Sequence, residues 1–189
     1  MKVNSEIFRA YDIRGIVGKE LTEEGIFYIG KAIGTLILSQ GRKSLLTARD
    51  GRISGPSLLR SFQEGVLATG CNVTDLGLVP TPLLYFATFK TKIPDGVMLT
   101  GSHNPKNYNG LKIVIDKKSM TSQKIEEIKN MISNDNYFNG SGKMSQLEIK
   151  KDYLMELQEK IRLDSKFKVC LDCGNGAVSY THLTLPTIL

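Results

Sequence analysis

The chain has 189 residues, enough for one full domain and part of a second. Hydrophobic residues make up 41% and charged residues 23%, which excludes a disordered or collagen-like chain, and no apolar run approaches the roughly 20 residues of a membrane span. The formal charge of +6 is thin and interleaved with acids, so it suits an anionic substrate such as a phosphate ester and lacks the dense basic stripe of a nucleic-acid binder. The opening residues, Met1-Lys2-Val3-Asn4-Ser5-Glu6, contain no apolar signal-peptide core, so the expectation is a cytoplasmic protein without membrane contact.

From there the chain alternates between two hydrophobic periods. Thr22 to about Gln40 predicts a helix. Thr22 is its cap, Glu23 and Glu24 sit at its positive end, and Ile26, Ile29, Ile33 and Ile37 recur at helical spacing. Gly41 ends it in the left-handed conformation. Ser44 to Ala48 reads as a short buried strand. Ser54 to about Thr69 reads as a second helix, with Pro56 in its first turn, Leu58, Leu59, Phe62 and Val66 facing inward, and Gly70 as its stop. A strand over Asn72–Leu76, a helix over Thr81–Phe89, a strand over Gly96–Thr100, a β-rich run over Leu111–Ile115 and a helix over Thr121–Ile132 follow. This alternation predicts a three-layer α/β/α domain with a mostly parallel mixed sheet, followed by the start of a second similar domain. In such folds ligands gather at strand ends, so the informative loops are those after Ala48, Leu76 and Thr100.

Beyond the last of these helices, Asn134 to Gln146 is rich in Asn, Gly and Ser and reads as a linker or long surface turn. Helical periodicity resumes over Lys150–Arg162, and Phe167 to Asp172 reads as a first strand of a new domain. The expected organisation is a first domain over 1–135, a linker over 136–149, the start of a second domain over 150–177, and a separate stretch over 178–189. Of the three cysteines, Cys71, Cys170 and Cys173, the last two have half the spacing of a zinc site. No second Cys or His pair accompanies them, so packing is the simpler reading.

Three clusters could carry chemistry. The densest is Thr100-Gly101-Ser102-His103-Asn104-Pro105, followed by Asn109-Gly110-Leu111-Lys112. Ser102 lies on a turn that can expose its hydroxyl, Gly101 permits unusual backbone angles, backbone N–H groups of such a turn can cradle an anion, and Lys112 supplies a point charge for phosphate. A plain Ser/Asn/Gly turn is the alternative. Ser102 beside His103 also invites a hydrolase reading, but no Gly-x-Ser-x-Gly elbow is present and a triad recruits a distant histidine. Phe8 to Gly15 brings Arg9 and Arg14 near the amino terminus; Arg14 could hold a phosphate or simply pair with Asp12. Arg49 to Pro56 places Arg49 and Arg52 at a strand-to-helix junction, where they bind an anion or, as Asp50 favours, brace the loop.

Taken in order, FRAYDIRG (Phe8 to Gly15), RDGRISGP (Arg49 to Pro56), VPTP (Val79 to Pro82), GVMLTGSHNP (Gly96 to Pro105) and YNGLKIV (Tyr108 to Val114) resemble the α-D-phosphohexomutase superfamily. The bacterial phosphomannomutase/phosphoglucomutase branch is the most similar. Leu171-Asp172-Cys173-Gly174-Asn175-Gly176 resembles the start of that family's second domain, so the resemblance runs from residue 7 to about 177. It implies interconversion of hexose 1-phosphate and hexose 6-phosphate through a phosphoserine and a hexose bisphosphate, with no nucleic-acid partner. Ser102 would carry the phosphoryl group and offer an oxygen to Mg²⁺. Arg14 and Lys112 would clamp charge and contact substrate, Lys112 or His103 would relay a proton, Tyr11 would line the site, and Gly101 and Asn104 would order the loop.

Phosphoglucosamine mutases, which read Thr-Asp-Gly-Ile-Arg-Gly and Ser-Ala-Ser-His at the corresponding motifs, are the alternative branch. A non-catalytic module that binds sugar phosphate is the alternative class. The superfamily's Asp-Gly-Asp-Gly-Asp-Arg metal loop, its sugar-selecting loop and its last phosphate-binding domain are not among the 189 residues. The resemblance also stops at Ala177. Val178 to Leu189 looks like translated sequencing adapter, and the expectation is an incomplete, inactive amino-terminal fragment.

Overall fold

The structure is a computed structural model that describes residues 3–162, together with Lys168 and Cys170. A seven-stranded sheet forms the middle layer: β1 (Ile13–Ile16), β2 (Ser44–Arg49), β3 (Asn72–Leu78), β4 (Gly96–Leu99), β5 (Tyr108–Ile115), β6 (Lys118–Ser119) and β7 (Met144–Gln146). The order is β1-β5-β4-β2-β3-β7, with β6 on β5. β4, β2, β3 and β7 run parallel, while β5 lies antiparallel to β4, β1 and β6, so one strand opposes six. The expected mostly parallel mixed sheet is what forms.

Helices α1 (Glu23–Ser39), α2 (Gly55–Leu67) and α4 (Ser122–Ser133) cover one face, and α3 (Thr81–Lys90) the other. The two-residue period of a strand explains both layers: Leu45 points to the first core and Leu46 to the second. The first core holds Ile26, Ile29, Ile33, Phe62, Val66, Ile128 and the inner face of β5. The second holds Met98, Leu76, Leu83, Leu84 and Ala87. Local signals set the boundaries. The Thr22 hydroxyl accepts from the Gly25 N–H at 3.0 Å, and Gly41 and Gly70 take φ of 75° and 93° just past their helices. Ser54 flanks α2 without a capping bond of its own; its hydroxyl accepts instead from Asn109 Nδ2 at 2.9 Å.

α1 and α2 touch through glycine. A Cβ on Gly30 would overlap the Phe62 carbonyl, and one on Gly65 the Phe27 carbonyl. The backbones therefore pack closer than any side chain allows.

The stretch read as a linker is tied down along much of its length. Gly140 N–H bonds the Ala68 carbonyl at 2.9 Å, Gly142 N–H bonds the Leu67 carbonyl at 2.8 Å, and Met144–Gln146 adds the edge strand beside β3. The last described helix, α5 (Lys150–Lys160), rests on the first domain. Tyr153 packs edge-on against Phe86, and Lys90 pairs with Glu156 at 3.1 Å. Hydrogen bonds from Lys160 and then Lys90 hold the Glu156 carboxyl below its ordinary range. The expected strand over Phe167–Asp172, apart from Lys168 and Cys170, and the stretch over 178–189 lie outside the described residues. No described helix is long and apolar enough to cross a membrane.

Cys71 is fully buried, Cys170 is exposed, and Cys173 lies outside the described residues. Burial, and secondarily the charge of Asp95, pushes the Cys71 thiol up to about 12. In the unfolded chain the thiol ionises near its ordinary value, whereas in the fold it stays protonated. The stability this contributes is complete below about pH 9 and is lost as pH rises toward 12, at about 1.4 kcal/mol per pH unit. We expect the alkaline limb of a denaturation-against-pH curve to be shallower in Cys71→Ala than in the parent protein. Parallel limbs would show that Cys71 contributes nothing there.

Candidate active site

The site forms where the loops after β2 and β4 meet beside β1. The two strands are parallel neighbours, and the ladder between them continues past their ends: the Asp50 N–H donates to the Leu99 carbonyl at 3.0 Å. Residues 50–54 therefore lie against residues 100–108, although some fifty positions separate them. The loop after β3, also expected to be informative, supplies no lining; Val79 is buried in the second core and its N–H bonds the Arg49 carbonyl at 3.1 Å.

Ser102 occupies the exposed tip of the β4–β5 loop with φ of 50°, in the left-handed region that non-glycine residues seldom enter. Two side chains fix that backbone. Asp50 Oδ2 accepts from Thr100 Oγ1 at 2.7 Å and from the Gly101 N–H at 3.2 Å, and Thr100 Oγ1 accepts from the Ser102 N–H at 2.9 Å. Asn104 closes the turn, its Nδ2 and its backbone N–H both bonding the Gly101 carbonyl at 2.9 Å. Arg52 fills the space beside Gly101, where a Cβ would overlap its guanidinium, and donates to the carbonyls of Ser102, Asn104, Pro105 and Tyr108 at 2.6–3.1 Å.

These bonds narrow one expectation. The N–H groups of Gly101, Ser102 and Asn104 are already spent on Asp50, Thr100 and the Gly101 carbonyl, so they do not form an anion cradle. Positive charge comes from side chains instead. The recess around Ser102 is lined by Arg14, Lys112, His103, Asn104 and Asp12, with Ile13 and Leu111 beneath. Arg14 reaches it from β1, where it stands opposite Gly110 on β5, and pairs with Asp12 at 3.4 Å. Lys112 reaches it from β5 and has no ion-pair partner among the described residues. His103 Nδ1 lies 3.5 Å from Ser102 Oγ, the outer limit of a hydrogen bond.

Six of the seven residues to which the resemblance gives a role thus share one recess: Arg14, Gly101, Ser102, His103, Asn104 and Lys112. Tyr11 does not join them; it is 72% exposed and outside the lining. A larger, open groove along α4, lined by Gln123, Glu126, Glu127, Asn130 and Met131 among others, holds none of the seven.

Residues 5–138 match the family model described as phosphoglucomutase/phosphomannomutase, alpha/beta/alpha domain I. The chain belongs to that family. The phosphomannomutase/phosphoglucomutase of Pseudomonas aeruginosa is 42% identical over 172 residues, which are 91% of this chain and 37% of that one. A phosphoglucomutase of Neisseria meningitidis is 40% identical over 173 residues, 90% of this chain and 38% of that one. A crystal structure of a phosphoglucomutase/phosphomannomutase family protein from Burkholderia thailandensis superposes with a TM-score of 0.83 at 34% identity, covering 86% of this chain and 37% of that one. The chain spans little more than a third of the length of these relatives.

Membership gives the recess a context, and the residues that shape it divide into two groups. Ser102, Arg14 and Lys112 follow from the phosphohexomutase motifs. Asp50, Thr100 and Arg52 stand in clusters the sequence marks, but their joint hold on the serine loop emerges only from the fold. The Arg49–Asp50–Arg52 cluster braces its own loop as expected, Arg49 Nη1 donating to the Asp50 carbonyl at 3.1 Å and Asp50 Oδ1 accepting from the Arg52 N–H at 3.0 Å, and it is paired with the serine loop as well. That pairing depends on β2 lying beside β4, which no local pattern states.

Proposed function

We propose that the full-length protein interconverts hexose 1-phosphate and hexose 6-phosphate, of the mannose or glucose series, through a phosphoserine at Ser102. The observation that carries this reading is the exposed Ser102 hydroxyl, held on a clamped left-handed turn in one recess with Arg14 and Lys112. In the first half-reaction the free sugar hydroxyl attacks the phosphorus on Ser102. The new P–O bond forms to the sugar, the bond to Oγ breaks, the hydroxyl proton leaves the sugar, and a proton returns to Oγ. The bisphosphate then turns end for end. Ser102 Oγ attacks the other phosphoryl group: the P–O bond to Oγ forms, the P–O bond to the sugar breaks, the serine proton leaves Oγ and a proton returns to the sugar oxygen, which regenerates phosphoserine and releases the isomer.

A phosphoserine carries roughly two negative charges, and so does the incoming ester. The residues must therefore lower that repulsion before any bond changes. Lys112 is the better placed, since Asp12 already shares the charge of Arg14. His103, next to Oγ, is the nearer of the two candidates to carry the proton; Lys112 is the other.

Mg²⁺, which the resemblance implies, would meet one oxygen of this segment, that of Ser102. The described residues gather no group of three or more His, Cys, Asp or Glu, and Asp12 and Asp50 are committed to Arg14 and to the serine loop. Such a cation collects several oxygens. These residues alone do not fit it, and no step above runs through it.

The test is to give the full-length protein mannose 1-phosphate or glucose 1-phosphate with a catalytic amount of the hexose bisphosphate. The expected result is hexose 6-phosphate and a phosphorylated Ser102 by intact-mass and peptide analysis. No product from an intact, bisphosphate-treated protein would move the reading to a module that binds sugar phosphate without turnover. Product from glucosamine 1-phosphate alone would move it to the glucosamine branch.

A further inference from the structure

We propose that Arg52 and Asp50 are positioning residues that hold the serine loop in one shape for both half-reactions, without touching the substrate. This rests on the phosphoserine reading above. A guanidinium has five N–H donors. In Arg52, Nη1 donates to the Pro105 carbonyl at 2.7 Å and the Tyr108 carbonyl at 3.0 Å. Nη2 donates to the Ser102 carbonyl at 3.1 Å and the Asn104 carbonyl at 2.6 Å, and Nε lies 3.5 Å from Asp50 Oδ2. Four of the five donors are hydrogen-bonded to carbonyls of the protein and the fifth lies against the Asp50 carboxylate, so the guanidinium is turned to the loop and not to a phosphate, although it stands beside the serine. Asp50 completes the clamp through Thr100 Oγ1, the Gly101 N–H and, at 3.0 Å, the Arg52 N–H.

The chemistry explains why such a clamp is needed. Ser102 Oγ is the leaving oxygen in one half-reaction and the attacking oxygen in the other, toward different ends of the sugar. A loop organised by its substrate would be organised differently each time. A loop organised by the chain's own groups presents Oγ identically to both, and misplacement by about 1 Å costs about a hundredfold in rate. The left-handed backbone at Ser102 and the missing Cβ at Gly101, whose place the guanidinium takes, are the local conditions for this shape.

The experiment uses the full-length protein with Arg52→Ala, Arg52→Lys and Asp50→Asn. Lysine keeps the charge, but a point charge on a flexible stem cannot bridge four carbonyls, so it does not rescue. Asparagine puts an N–H₂ against donors that now meet an oxygen. We expect kcat to fall about a hundredfold in each, with KM within about threefold. Amide hydrogen exchange at Gly101 and Ser102 should accelerate at least about tenfold while β2 and β4 keep their protection. Full activity in Arg52→Lys, a rise in KM at unchanged kcat, or unchanged amide protection each overturns the proposal. Should the alanine variant fold poorly, the lysine variant carries the same test. Parent protein that isomerises nothing, with loop protection still lost in Arg52→Ala, sinks the mutase reading and leaves the clamp standing.

Discussion

Ser102→Ala in the full-length protein is expected to lower mutase turnover by on the order of 10⁴-fold or more while the melting temperature stays within about 2 °C. The two halves of this expectation come from different facts. The oxygen is the atom to which the phosphoryl group would be bonded, so no neighbour replaces it; His103 is a ring nitrogen 3.5 Å away, and Lys112 is a charge. The side chain is also exposed, its one side-chain contact is that long one to His103, and the loop is held by backbone atoms that alanine keeps. Alanine and serine meet the left-handed angle at similar cost. Steady-state assays with bisphosphate supplied, together with calorimetry, decide it. Turnover near that of the parent would remove Ser102 from the chemistry. Equal loss of turnover and of fold would mean the side chain is structural.

Gly65→Val should have the largest effect on stability. In an exposed helix, replacing glycine by alanine gains about 1 kcal/mol of helix propensity. At Gly65 the sign reverses, because the added Cβ would lie on the Phe27 carbonyl, which is backbone and cannot turn aside. Gly30 meets the Phe62 carbonyl in the same way from the opposing helix, and Gly34 meets the Thr69 hydroxyl. Separating α1 from α2 also opens the first core along Phe62 and Val66. Overpacking of this kind costs about 1–3 kcal/mol when side chains can yield, and more when backbone must. We expect Gly65→Ala to lose about 3 kcal/mol, lowering the melting temperature of this domain by about 10 °C, and Gly65→Val to leave it unfolded at 37 °C. A melting temperature equal to or above the parent's in Gly65→Ala would show that propensity outweighs contact here.

The helices and strands β2 to β5 were legible because their ends carry local chemistry, whereas β1 and β6 were not read as strands. Thr22 caps α1, Gly41 and Gly70 supply the left-handed exits of α1 and α2, and Pro56 opens α2. Those signals act over three or four residues and survive without tertiary knowledge. Three features escaped because they exist only between distant segments. The β7 strand is short, exposed and polar, with no hydrophobic alternation; its register is given by pairing with β3 alone. Gly30, Gly34 and Gly65 look like weak points of two helices until the helices touch. The amides of the serine loop looked free to bind an anion because Asp50 and Thr100 could not yet be placed beside them. The candidate site was legible in its reactive atoms, which the family motifs carry, and illegible in what holds them.

The single reversed strand has a last consequence. β5 leaves the serine loop and turns back beside β4, which entered it, and Lys112 stands opposite Met98 in that pairing. The span between hydroxyl and ammonium is therefore measured by ladder bonds inside one hairpin. Swaying of the outer helical layers, α3 and α5 included, shifts the walls of the molecule without stretching that ruler.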